Sequence, residues 1–117
     1  MAPRVAGWPA DLPPAGTQEF DERVVGWLLD RGPADLRGSG LAAEPAALGY
    51  VVVRHCAGAV ESLRQAYAQA RADLGLPPER LQVAQQAMER AGALLAQQER
   101  EVALVYRAIR EQSPTLG

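Results

Sequence analysis

Two stretches decide the fold: residues 46–74, AALGYVVVRHCAGAVESLRQAYAQARADL, and residues 81–109, LQVAQQAMERAGALLAQQEREVALVYRAI. In the first, Ala46, Gly49, Val53, Cys56, Val60, Leu63, Tyr67, Ala70 and Leu74 recur at alternating steps of 3 and 4. In the second, Leu81, Ala84, Met88, Ala91, Leu95, Gln98, Val102, Val105 and Ile109 do the same. Seventeen of these eighteen positions are apolar or Gly. A sustained seven-residue apolar repeat places one stripe along each helix, as in a coiled coil. Gly75-Leu76-Pro77-Pro78 separates the two stretches. Gly suits a left-handed helix cap, and Pro suits the first turn of the next helix. The pattern predicts an antiparallel helical hairpin with helices over about 45–74 and 78–112. Residues whose numbers sum to about 155 then face one another.

The run Leu48-Gly49-Tyr50-Val51-Val52-Val53 is rich in β-branched residues and reads locally as a short strand. The only other stretch of that kind is 24–29, and a lone strand cannot satisfy its backbone groups. The heptad register passes through the run unbroken, which favours helix.

Upstream, Thr17 is a candidate N-cap for a helix over about 18–31. Glu19, Asp21 and Glu22 lie in its first turns, where the helix dipole favours negative charge. Phe20, Val24, Trp27 and Leu28 follow helical spacing, and Gly32-Pro33 ends the helix. Residues 32–44 form a Gly-rich connection in which Leu36 and Leu41 are the large apolar residues. Residues 1–16 hold four of the nine prolines and read as an irregular arm. Val5, Trp8 and Leu12 are its candidate anchors. The domain proper is 17–117.

The fold class is therefore all-α: a short N-terminal helix packed on a long two-helix hairpin. The hairpin is lopsided. Leu48, Tyr50, Val51, Val52, Leu104, Tyr106 and Ala108 add apolar surface at its base, where the first helix can cover it. That helix has about 14 residues and spans ~21 Å, roughly half the hairpin. The distal half keeps Ala59, Leu63, Ala66, Tyr67, Ala87 and Leu94 beside or on the seam, with Val83 near them and no intramolecular cover. These residues are the candidate interface, and a homodimer completing a four-helix core is the expected partner arrangement.

Composition narrows the chemistry. The chain has 117 residues, 12 Arg and no Lys, 14 Asp plus Glu, and a net charge of −2. A single Cys excludes an internal disulfide, and one Cys with one His undersupplies a zinc site, so no metal or other cofactor is expected. There is no apolar stretch of membrane-spanning length and no recognisable signal peptide, so a cytoplasmic location is expected.

His55 and Cys56 are neighbours on a helix and point about 100° apart, which is wrong for a nucleophile and base. Cys56 sits in the seam as a small apolar group. His55 flanks the seam, within possible reach of Glu99 or Arg100. Gln98, the one polar seam residue, suits a register-setting role. Glu79-Arg80, Glu89-Arg90 and Glu99-Arg100 recur at ten-residue steps that drift around the helix, as a solvated surface does. No phosphate loop, nucleophile elbow or dinucleotide fingerprint is present.

These features favour a non-catalytic helical interaction or oligomerisation module. One alternative is a nucleic-acid-associated accessory protein using Arg54, Arg64, Arg71, Arg100, Arg107 and Arg110. The near-neutral charge balance weighs against it. Another is a small-ligand binder with a pocket near Trp27, Tyr50, His55 and Tyr106, where the first helix meets the hairpin base.

Overall fold

The computed structural model describes residues 5–112. The expected helix stop at Ser113-Pro114 lies outside them. Three α-helices account for most of the chain: α1 (Gln18–Arg31), α2 (Pro45–Leu74) and α3 (Pro78–Gln112). The Val-rich run at 48–53 is helical and belongs to α2. Val52 is fully buried there, while Val51 and Val53 are half-buried. A helix satisfies the backbone of this segment internally, so burial of one stripe outweighs local strand preference.

Three of the helix ends have identifiable causes. Thr17 caps α1: its Oγ accepts from the Phe20 N–H at 3.1 Å and donates to the Pro14 carbonyl at 2.8 Å. Pro45 opens α2 at the first helical position. Gly75 ends α2 in the left-handed region, φ 61° and ψ 28°, which lets the chain reverse within three residues. The 32–44 connection contains two short 3-10 turns, Ala34–Gly38 and Leu41–Ala43. Leu36 and Leu41 pack from it against the core.

The hairpin register matches the facing rule. Leu63 packs on Gly92, Gly49 on Tyr106, and the Tyr67 hydroxyl reaches Glu89. Gly49 eases this approach, because a Cβ there would sit 3.0 Å from the Tyr106 ring and the ring would have to shift.

The core lies at the base. Phe20, Val24, Trp27 and Leu28 of α1 pack with Leu48, Val52 and Cys56 of α2 and Val102, Val105, Ala108 and Ile109 of α3. The arm joins them. Trp8, Pro9 and Leu12 are buried, and the Trp8 ring lies 5.9 Å from Phe20. The Trp8 indole N–H donates to the carbonyls of Leu12 and Pro13 at 3.0 and 3.2 Å, so the arm folds round its own anchor. Val5, the other expected anchor, is exposed. Its place in the sequence sets it one turn beyond the Trp8 loop, with no core surface to meet.

The molecule is elongated, 56 × 31 × 24 Å with a radius of gyration of 17.4 Å. A compact domain of this length has about 13 Å. The difference is the distal hairpin, which extends beyond α1.

Candidate interaction surface

Gly16, just before α1, lies against Gln112 at the end of α3, and Gly32, just after it, lies against Val52. α1 therefore runs up from the hairpin base along one face. Its last residue, Arg31, lines a cleft with Leu94 and Gln98. This is the level of Cys56, whose thiol feels the Arg31 charge. Above that level the same face continues without α1. Steps of 3 and 4 from Val52 and Cys56 place Ala59, Ser62, Ala66 and Gln69 on it. The corresponding steps from Val102 and Gln98 place Leu94, Ala91, Ala87 and Val83 there. None of these eight residues carries a charge; the next steps reach Asp73 on α2 and Arg80 on α3 at the tip, and Arg90 lies at the edge of the face.

Several of them are open to solvent. Leu94 is 69% exposed and Val83 is 65% exposed. Ala66 and Ala87 are exposed, while Ala59 and Ala91 are half-buried. Leu74, at the end of α2, is 48% exposed. Only at the tip does the seam close again, where Ala70 and Leu81 are buried. Low charge is the one feature this stretch shares with the centres of protein interfaces, which are otherwise richer in large side chains.

The opposite face is different. Leu63, Arg64, Tyr67, Met88, Glu89, Gly92 and Ala96 line a shallow groove there. The Tyr67 hydroxyl donates to Glu89 at 2.9 Å, and that carboxylate raises the phenol's pKa. Of the six interface candidates, Ala59, Ala66, Ala87 and Leu94 thus share the α1-side face. Tyr67 is turned to the other side, and Leu63 lies in the seam against Gly92.

The four candidate pocket residues do not converge. Trp27 is buried in the core beside the arm. Tyr50 and Tyr106 do meet, ring centroids 6.2 Å apart, but on the hairpin surface, where Arg54 lies over Tyr50 and Arg110 donates to the Tyr106 hydroxyl. His55 is exposed, and among the described residues no ion pair joins it to Glu99. Positions 50 and 106 flank the seam away from α1, whereas Trp27 lies on α1. Proximity to the base in sequence did not specify the side.

Arg54, Arg64, Arg71, Arg100, Arg107 and Arg110 are all exposed. Arg64 pairs with Glu61 at 3.2 Å. Burial, and secondarily the Glu99 charge, pushes the Cys56 thiol up, which keeps it protonated and weakly nucleophilic. Gln98 is half-buried at the cleft rim, and no buried side-chain polar atom among the described residues lacks a partner. Among those residues, no cluster of three or more His, Cys, Asp or Glu is placed to hold a metal ion. No described helix is long and apolar enough to cross a membrane.

A polar latch holds the arm against α1 at the edge of the open face. The Asp11 carboxylate accepts from the Trp27 indole N–H at 2.9 Å and from Arg31 at 2.6 Å. The Arg31 guanidinium lies 3.8 Å over the Trp27 ring and donates to the Trp27 carbonyl. Sequence reading missed this latch. Asp11 and Arg31 are 20 residues apart, and no local pattern joins an arm to a helix end. Arg31 in the last turn of α1 was the one visible hint.

The Trp27 hydrogen bond, helped by Arg31, lowers the Asp11 pKa from its ordinary value of 3.8. A depressed acid stabilises the fold above its unfolded value and loses that contribution as pH falls through the folded one. Tryptophan fluorescence should therefore hold the latch signal from neutral pH down through 3.8 and lose it only below that. Asp11→Asn should lack that acid component. An identical acid profile in the variant would rule out the latch as its source.

No protein-family model matches this chain, and no curated protein or solved structure is significantly similar to it.

Proposed function

We propose that this chain is a non-catalytic helical oligomerisation module that forms a homodimer through the distal half of its hairpin. The observation that carries the reading is the one-sided cover. α1 and the arm bury the base of one hairpin face and stop at Cys56 and Gln98, leaving a continuation that exposes Leu94 and Val83 and carries charge only toward its tip and edge. Two-helix hairpins are marginal alone, and a second copy supplies the two helices that complete a four-helix core. The proposal places no catalytic step on the chain.

The other readings have less support. The net charge of −2 does not suit a phosphate backbone, and the candidate pocket residues are spread over separate sites. Light scattering on the full chain at near-physiological salt tests the proposal. A species of twice the 12.5 kDa chain mass is expected. A chain-mass species at every concentration up to the millimolar range would overturn it.

A further inference from the structure

We infer that the two copies pair antiparallel, each distal hairpin occupying the layer beyond the other's α1, so that α2 packs on α2 and α3 on α3. This rests on the dimer reading above and specifies its geometry. Two two-fold arrangements bring the same hairpin face together with the helices of the two copies aligned. With the axis along the helices, both tips point the same way and both α1 helices lie between the hairpins. Each α1 adds a helix layer of about 8–10 Å, which holds the distal faces apart where contact is needed. With the axis across the helices, the tips point opposite ways and α1 acts as a step beside the partner's tip.

The lengths agree with the second arrangement. The uncovered stretch runs from Cys56 to Leu74 on α2, about 27 Å at 1.5 Å per residue. Two helices wide, it offers roughly 500 Å² per copy, or about 1,000 Å² in all. That reaches the lower bound for a specific interface and suits a reversible one. The midpoint of the stretch falls near Ala66 on α2 and near Ala87 to Arg90 on α3. Two-fold rotation about it sets Leu94 against the second copy's Val83, pairing the two most exposed large apolar residues. It also sets the end of α2, Asp73 with the exposed seam residue Leu74 beside it, over the second copy's Ala59. Ala66 lies near the axis, where a small side chain permits close helix approach. Large residues thus meet at the ends of the contact and small ones at its centre.

Disulfide trapping separates the geometry from the dimer itself. Val83→Cys and Leu94→Cys are made singly, with Cys56→Ala, or with the native buried Cys56 if that variant loses its helical circular dichroism. Each reduced variant is first weighed by light scattering. Mild oxidation of the two variants mixed should give a covalent species of twice the chain mass, with little from either alone. Positions 83 and 94 on one helix are about 16 Å apart, beyond disulfide reach within a chain. A dimer mass without the mixed cross-link, or with equal cross-linking of either variant alone, would overturn the antiparallel geometry and leave the dimer reading standing. A chain mass for the unsubstituted protein weighed beside them would overturn the dimer reading itself.

Discussion

Leu94→Glu is expected to convert the dimer to a monomer without loss of helix. In the single chain Leu94 is 69% exposed, so its side chain contributes little to intramolecular burial. Surface changes of that kind usually stay within about 0.5 kcal/mol. In the dimer the residue packs on the second copy's Val83, and the cations nearest to it, Arg31, Arg80 and Arg90, lie at the rim of the contact rather than over the apolar surface. Symmetry places two such carboxylates in one interface. At about 1–2 kcal/mol for each carboxylate, after partial compensation by the rim arginines, the pair costs ~2–4 kcal/mol, or about 30- to 10³-fold in the dissociation constant. Sedimentation equilibrium reads the mass, and circular dichroism reads the helix. Gln86→Glu is the control, since Gln86 is exposed and faces away from both the seam and the α1 side. It should leave the mass unchanged. A Leu94→Glu protein with undiminished mass would show that this face is not the contact.

Trp8→Ala should do the opposite: destabilise the fold and leave the contact intact. Trp8 is buried against Phe20, and its N–H ties the turn at Leu12 and Pro13. Truncating a buried aromatic costs about 3–5 kcal/mol through lost transfer energy and the cavity left behind. Domain stabilities are about 5–15 kcal/mol, so this is a large share. The melting temperature should fall by roughly 10–20 °C. Melts must be compared at one protein concentration, because dimerisation raises the apparent stability by mass action. Below its melting point the variant should still weigh as a dimer, since Trp8 lies at the base and the contact lies beyond α1. A shift under about 1 kcal/mol would mean that the arm is not part of the core, contrary to the packing of Trp8, Pro9 and Leu12.

Together the two substitutions separate what periodicity made legible from what it did not. Helix extents, the hairpin register and the contrast between base and distal half all follow from positions spaced 3 and 4 apart. That information is local and repetitive. The same repeat resolved the strand-like 48–53 segment, because Val52 had to face α1 while the register ran on. The arm was legible only in part. Trp8 and Leu12 are buried, but nothing local distinguished them from Val5, which is exposed. The Asp11–Trp27–Arg31 latch and the separation of Trp27 from Tyr50 and Tyr106 depend on which side of the hairpin α1 takes. That choice is made by tertiary packing. Within the candidate interface, Tyr67 shows the same effect. Its heptad position is a seam position, yet its hydroxyl turns outward to Glu89.

The central claim is that a second chain covers the distal half of the α1-side face. Amide hydrogen exchange as a function of protein concentration tests it most directly, because it reports where protection arises as well as whether it does. Protection in 57–74 and 80–97 should rise as the chain is concentrated, while the base, 48–56 and 98–109, stays constant. Exchange in the distal segments that is independent of concentration, with the chain at its monomer mass throughout, would contradict it.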